Sequence, residues 1–322
     1  MKYVTMGAQN VSAIGLGTWQ FGEAGWGWGT ELDHEEAIRI VHRALELGIN
    51  FFDTAEVYGN GRSEEILGEA LRGRRHEAII ATKVAPPLRP DRVMQAARDS
   101  LRRLDIESID LYQLHAPDRS VPLARTMRAI RRLMDEGQVQ QVGVSNFDLN
   151  QWQEAEAALG SPVVSNQVQY HLLDRRPRNL LPYAHAEGRI VIAFSPLAQG
   201  LLGGKYGPGN VPQDLRANFG IFNDDNLRRA PGVVETLRQV GEHYGATPAQ
   251  VALAWLLLDP QVIVIPGARS VAQLEANAAA ADLRQHGHGG EGLGQLHVQR
   301  FLRVVLDDDL AAGLIVHDDL QV

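Results

Sequence analysis

No cysteine occurs among the 322 residues of this chain. That excludes a disulfide scaffold, a thiolate nucleophile, a cysteine-bound zinc and an iron–sulfur cluster, and it suits a reducing compartment. A surplus of basic charge is also missing. Lys and Arg total 31 against 39 Asp and Glu, a formal net charge of −8, so the electrostatic footprint of a nucleic-acid binder is absent. Long apolar runs are missing too: the longest tight one, Val251–Leu258, has eight residues, whereas a bilayer-spanning helix needs roughly 20. The opening stretch MKYVTMGAQNVSAIG has no apolar signal region. The sequence therefore predicts a cytoplasmic protein with neither membrane nor nucleic-acid partner. The sequon Asn10-Val11-Ser12 reads as chance in that setting.

What is present is an ordinary globular composition, 44% hydrophobic and 22% charged, enough for a large core. Short β-like runs alternate with longer amphipathic stretches, without a fixed repeat. The runs are Ser12–Gly15, Phe51–Asp53, Ala78–Lys83, Ile109–His115, Val142–Ser145, Val163–Gln167, Ile190–Phe194 and Val262–Pro266. Most are continuous in Val, Ile, Leu and Phe, the mark of strands buried on both faces of a parallel sheet. Helical stripes follow at Glu35–Leu47, Ser63–Leu71, Val93–Leu104, Leu123–Asp135, Leu149–Leu159, Pro177–Ala186, Val233–Tyr244 and Val271–Ala281. Thr247-Pro248-Ala249-Gln250 announces one more helix by its capping box. Eight strand–helix units predict a single (β/α)8 TIM barrel over residues 1–284. A doubly wound open sheet is the runner-up, disfavoured because Gly15-Leu16-Gly17 leads into the aromatic segment Trp19–Gly29 rather than a helix. Two segments break the rhythm. Gln199–Arg229 is a long Gly/Pro/Asn-rich connection after strand seven, the kind of loop that often carries function. The segment 285–322 begins QHGHGGEGLG and predicts a partly flexible, atypical tail.

Barrel enzymes place their chemistry at the C-terminal ends of the strands. Those ends supply Asp53, then Tyr58 in the adjoining loop, Lys83 and His115, from neighbouring strands two, three and four. Each alone has a structural reading: a helix cap, a packing ring, a solvated cation, a hydrogen-bonded imidazole. Together they have a chemical one. A phenol near pKa 10 is a poor acid at neutral pH, and a cation beside it lowers that value. Lys83 can supply the cation, Asp53 can hold Lys83, and a neutral His115 can orient a carbonyl oxygen. That is the proton half of a carbonyl reduction; a nicotinamide cofactor has to supply the hydride. Arg269 and Ser270 precede a helix start, where backbone N–H groups attract anions. Arg269 can then pair with a 2′-phosphate, which favours NADPH over NADH. Trp19, Trp26 and Trp28 suggest an apolar substrate-pocket wall. His286 and His288 lack carboxylate support, so no metal site is expected.

Around these residues the sequence resembles the aldo-keto reductase superfamily. The motifs are Asp53-Thr54-Ala55-Glu56-Val57-Tyr58-Gly59 with Gly61-Arg62-Ser63-Glu64, then Gly143-Val144-Ser145-Asn146-Phe147, then Asn166-Gln167-Val168-Gln169-Tyr170. Phe194-Ser195-Pro196-Leu197 and Ile265-Pro266-Gly267-Ala268-Arg269-Ser270, with Gln273 and Asn277, complete the set. The likeness spans Tyr3 to Leu283 and is nearest the bacterial branch that also resembles potassium-channel β subunits. It implies NADPH-dependent reduction of aldehydes or ketones, with Tyr58 as general acid, Lys83 and Asp53 tuning it, and His115 orienting the substrate. It also implies that Ser145, Asn146 and Gln167 hold the nicotinamide carboxamide and Phe194 stacks on its ring. Ser195, Leu197 and Gln199 would line the pyrophosphate path, and Gly267, Arg269, Gln273 and Asn277 the adenosine end. Gly17, Thr18 and Trp19 would border cofactor and pocket. The tail after about His286 departs from the family pattern. Three other readings compete: an NADPH-binding regulatory subunit, a barrel lyase or aldolase using Lys83 as a Schiff base, and a sugar or polyol dehydrogenase running the same chemistry in reverse.

Overall fold

A computed structural model describes residues 1–283; the tail 285–322, with His286 and His288, lies outside the described residues. Eight strands form one parallel sheet: β3 (Leu16–Gly17), β4 (Phe51–Asp53), β5 (Ile79–Val84), β6 (Ile109–Leu114), β7 (Val139–Ser145), β8 (Val163–Gln169), β9 (Ile190–Phe194) and β10 (Val262–Val264). They lie side by side in chain order, Phe52 against Ile80 and Val191 against Val262, for example. The sheet closes on itself: Gly15 N–H donates to Val264 O at 2.8 Å, Val264 N–H to Ala13 O at 3.0 Å, and Gly17 N–H to Pro266 O at 3.2 Å. This is the (β/α)8 barrel, and it excludes the open doubly wound sheet.

The seam explains the first strand's sequence. A Cβ on Gly15 would lie 2.9 Å from Phe51 O and one on Gly17 2.8 Å from Ile265 O, so only glycine lets the backbones meet here. The expected strand Ser12–Gly15 is accordingly displaced. The barrel strand itself is Leu16–Gly17, and Ser12 ends an antiparallel hairpin of β1 (Tyr3–Met6) and β2 (Gln9–Ser12). Met6 and Val11 of the hairpin are fully buried. Its Gln9 donates to Asp110 Oδ1 at 3.4 Å and accepts from Gln141 Nε2 at 2.7 Å. It therefore covers the N-terminal end of the barrel, opposite the mouth.

Helices α1 (His34–Glu46), α2 (Arg62–Ala70), α3 (Pro90–Leu104), α4 (Leu123–Asp135), α5 (Leu149–Leu159), α6 (Leu181–Glu187), α7 (Asp224–Glu242), α8 (Pro248–Leu256) and α9 (Val271–Ala279) surround the strands. Capping boxes at Asp148/Gln151 and Thr247/Gln250 open α5 and α8. The largest boundary shifts are in two helices. The stripe Pro177–Ala186 divides into a 3-10 turn, Arg176–Leu180, and α6. Helix α7 begins not at Val233 but at Asp224, capped by Asn223 Oδ1 accepting from Asn226 N–H at 2.9 Å, and it runs through Pro231. The proline removes one intrahelical donor. The buried stripe Leu227, Ala230, Val233, Leu237 and Val240 carries the helix across it. The connection before α7 is not featureless either, since 3-10 turns form at Ala198–Gly203, Leu215–Asn218 and Gly220–Phe222. Among the described residues no helix is long and apolar enough to cross a membrane.

Candidate active site

The mouth of the barrel holds a cavity of about 620 Å³, within the range of small-molecule sites. On one wall, three adjacent strands present the ionisable set. Asp53 ends β4, Lys83 lies on β5, and His115 follows β6. Tyr58 opens a 3-10 turn just after β4. Lys83 is wholly buried, and its ammonium donates to Asp53 Oδ1 at 2.5 Å, Thr54 O at 2.9 Å and Tyr58 Oη at 3.2 Å. Those three acceptors engage all three ammonium hydrogens. The other Asp53 oxygen accepts from Gln167 Nε2 at 2.7 Å and Gln113 Nε2 at 3.2 Å. The pair is thus buried, close and hydrogen-bonded on every side, the condition under which an internal ion pair is sustained.

The Tyr58 ring lies between two others. It stacks on Trp19 at 5.9 Å and 15°, and meets the His115 ring edge-on at 5.7 Å. Burial pushes the Tyr58 phenol above its ordinary value, outweighing the downward pull of the Lys83 charge. This reverses the expected direction: Lys83 offsets part of the burial rather than making Tyr58 a stronger acid than free phenol. Lys83 itself is held above its ordinary value, because attraction to Asp53 and Tyr58 together exceeds the cost of burial. His115 falls to about 3, from burial first and Lys83 repulsion second, so its imidazole is neutral at neutral pH, as the sequence reading required.

The opposite wall comes from β7, β8, β9 and β10 and their loops. Ser145, Asn146, Gln167, Phe194, Ser195, Leu197, Gln199, Gly267, Arg269, Gln273 and Asn277 all line the cavity, with Gly17, Thr18, Trp19 and Trp26 from the β3 side. Asn146, Ser195 and Gln199 have φ of 61°, 48° and 56°, left-handed values that non-glycine residues hold only where the surroundings enforce them. Gln273 accepts from Arg269 N–H at 2.9 Å, and Asn277 Nδ2 donates to Gly267 O at 3.3 Å. Gln199 Oε1 is a buried polar atom without a partner on this wall, and His115 Nδ1 is another on the facing wall. Unpartnered buried atoms of this kind suit a polar ligand between the two walls.

One further expectation changes. Trp28 does not border the cavity; it sits in a bridge with Leu32 while Trp19 and Trp26 face the opening. Lys83 lies behind Tyr58 and does not line the cavity. The Arg269 guanidinium is ion-paired with Glu31. Sequence reading also missed several residues. Gln113 shares a face of β6 with His115 two residues on, a period-two signal that could have found it. Gln20 Nε2 donates to Gly17 O at 3.2 Å and Ala268 O at 2.9 Å, tying the first strand to the last turn. Lys205 and Arg216 reach the cavity from the long connection. Arg216 lies 5.6 Å from the Trp26 ring and 5.5 Å from the Tyr206 ring, and is paired with Asp214. Among the described residues no group of acidic, histidine or cysteine side chains could hold a metal.

Known proteins resemble this chain in both sequence and fold. The model of the Aldo/keto reductase family matches residues 13–286. An uncharacterised oxidoreductase of Mycobacterium tuberculosis is 51% identical over 287 residues, 88% of each chain. A probable voltage-gated potassium channel subunit beta of Arabidopsis thaliana is 34% identical over 310 residues, covering 88% of this chain and 92% of that one. The crystal structure of an aldo-keto reductase from Klebsiella pneumoniae in complex with NADPH superposes with a TM-score of 0.71 at 31% identity, covering 94% of this chain and 95% of that one.

Proposed function

Because the chain belongs to the aldo/keto reductase family, we propose that it is an oxidoreductase that reduces aldehydes or ketones to alcohols with NADPH, Tyr58 serving as proton donor. One observation carries the reading: Lys83 gives its last hydrogen to Tyr58 Oη from behind. The phenol oxygen therefore accepts from Lys83, and its own O–H is left to point into the cavity. Burial keeps that O–H protonated at neutral pH. When bound, the nicotinamide supplies a hydride to the carbonyl carbon. As negative charge grows on the carbonyl oxygen, Tyr58 transfers its proton there, and the Lys83 ammonium stabilises the phenolate left behind. Asp53 keeps Lys83 in place, with Gln167 and Gln113 fixing the carboxylate in turn. His115, neutral with a pKa of about 3, has no acidic proton to give and serves as an orienting hydrogen-bond partner.

Ser145, Asn146 and Phe194 would hold the nicotinamide end, Ser195, Leu197 and Gln199 the pyrophosphate, and Gly267, Arg269, Gln273 and Asn277 the adenosine end. Lys205, which has no carboxylate partner among the described residues, adds charge suited to phosphates. A Schiff-base role for Lys83 is disfavoured, because its ammonium is triply engaged and held in the charged form. The decisive experiment is fluorescence titration with NADPH and NADH, followed by NADPH oxidation with 4-nitrobenzaldehyde. Tighter NADPH binding with turnover is expected. Binding without turnover on a broad aldehyde panel would transfer the reading to a regulatory subunit. Turnover faster on alcohols with NADP+ would make it a dehydrogenase.

A further inference from the structure

The Arg269 guanidinium, the group assigned above to a 2′-phosphate, is already engaged by a carboxylate from the other side of the mouth. Glu31 belongs to the loop between β3 and α1, and its Oε2 accepts from Arg269 Nη1. The two side chains meet over Gly27, whose Cβ position would lie 3.2 Å from Glu31 Cβ and 3.4 Å from Arg269 Nη1. Glu31 is 55% exposed and Arg269 17%. The carboxylate can thus swing into water while the arginine is held in the wall. Asp214 is hydrogen-bonded to Arg216, although it also feels the Arg269 charge and Arg216 that of Glu31, so Glu31 is the carboxylate in direct contact with Arg269.

We propose that Glu31 sets the nucleotide selectivity of this site by competing with a 2′-phosphate for Arg269. The inference rests on the reading of the cavity as an NADPH site. A 2′-phosphate that approaches Arg269 must displace Glu31 or remain beside its negative charge, and either weakens binding. A nucleotide ending in a 2′-hydroxyl carries no such charge and is indifferent to the carboxylate, or donates to it. Glu31 therefore narrows the preference for NADPH over NADH that Arg269 alone would give, and leaves the site open to both.

Glu31→Gln tests this directly, because it keeps the acceptor and the shape and removes only the charge. Dissociation constants for NADPH and NADH are read by fluorescence quenching in wild type, Glu31→Gln, Glu31→Ala, Arg269→Ala and the Glu31→Gln/Arg269→Ala double variant. NADPH should bind roughly two- to fivefold tighter to Glu31→Gln, the span expected of a half-exposed ion pair, with NADH unchanged. The gain should shrink at high salt and fall when Arg269 is already alanine, leaving at most the direct repulsion between Glu31 and the phosphate. An unchanged NADPH constant in Glu31→Gln would overturn the inference and leave the cofactor reading intact. Equal weakening of both nucleotides in Glu31→Ala would also overturn it, assigning Glu31 a purely structural tie. Wild type that binds neither nucleotide would overturn the cofactor reading and this inference together.

Discussion

The two walls of the mouth are built differently. The acid wall stands on β4, β5 and β6, and its ionisable groups are locked by short, buried hydrogen bonds: Lys83 to Asp53 at 2.5 Å and Gln167 to Asp53 at 2.7 Å. The facing wall, proposed to hold the nucleotide, has a strand floor but a loop rim. That rim is held by aromatic contacts, Trp26 on Trp19 at 4.9 Å and on Phe219 at 6.0 Å, and by the half-exposed ion pair of Glu31 and Arg269. Proton transfer tolerates little positional error, so rigid strands suit it. A ligand that must enter and leave needs contacts that open, and loops joined by partly solvated groups provide them.

The contrast can be broken most forcefully at Tyr58. Tyr58→Phe should lower carbonyl reduction by about 10²–10⁴-fold, with the NADPH dissociation constant near wild type. Full turnover in that variant would remove the proton donor from the acid wall. Lys83→Met comes next. It leaves Asp53 buried and uncompensated, and breaking a buried pair in this way typically destabilises by about 3–5 kcal/mol. The amides of Gln113 and Gln167 still donate to Asp53 Oδ2, so the lower end of that range is expected in urea unfolding. A loss under about 1 kcal/mol would mean that Asp53 takes up a proton when Lys83 is gone.

How much of this was legible in the sequence follows the same division. Asp53, Lys83 and His115 could be read because a strand end fixes both the position and the direction of its side chain, and the alternation of runs and stripes counts the strands; Tyr58 lies in the short loop after β4 and was read with them. The eighth seam was harder. Gly15 and Gly17 were visible, but the reason for them is the backbone of Phe51 and Ile265 across the closing barrel, a contact with no local trace. The N-terminal hairpin was missed because its four-residue strands carry only one or two buried apolar residues each. The pairing of Glu31 with Arg269 joins positions 238 apart, and no periodicity predicts that. Nor could sequence weigh burial against charge at Tyr58, since both act through neighbours the fold brings in.

The smallest effect is expected on the loop rim. Trp26 touches Trp19 and Arg216 at the cavity edge and the partly buried Phe219 of the long connection. Trp26→Ala removes an apolar face from the opening without unsatisfying any buried polar group. The barrel should therefore keep its melting temperature within about 3 °C, as expected for changes away from the core of a large domain. KM for an aromatic aldehyde should rise by roughly five- to tenfold, the value of a lost ring–ring contact of about 1–1.4 kcal/mol, while kcat stays within about twofold. A drop in kcat as large as that of Tyr58→Phe would show that the loop positions Tyr58 through Trp19, and the two walls would then work as one mechanical unit.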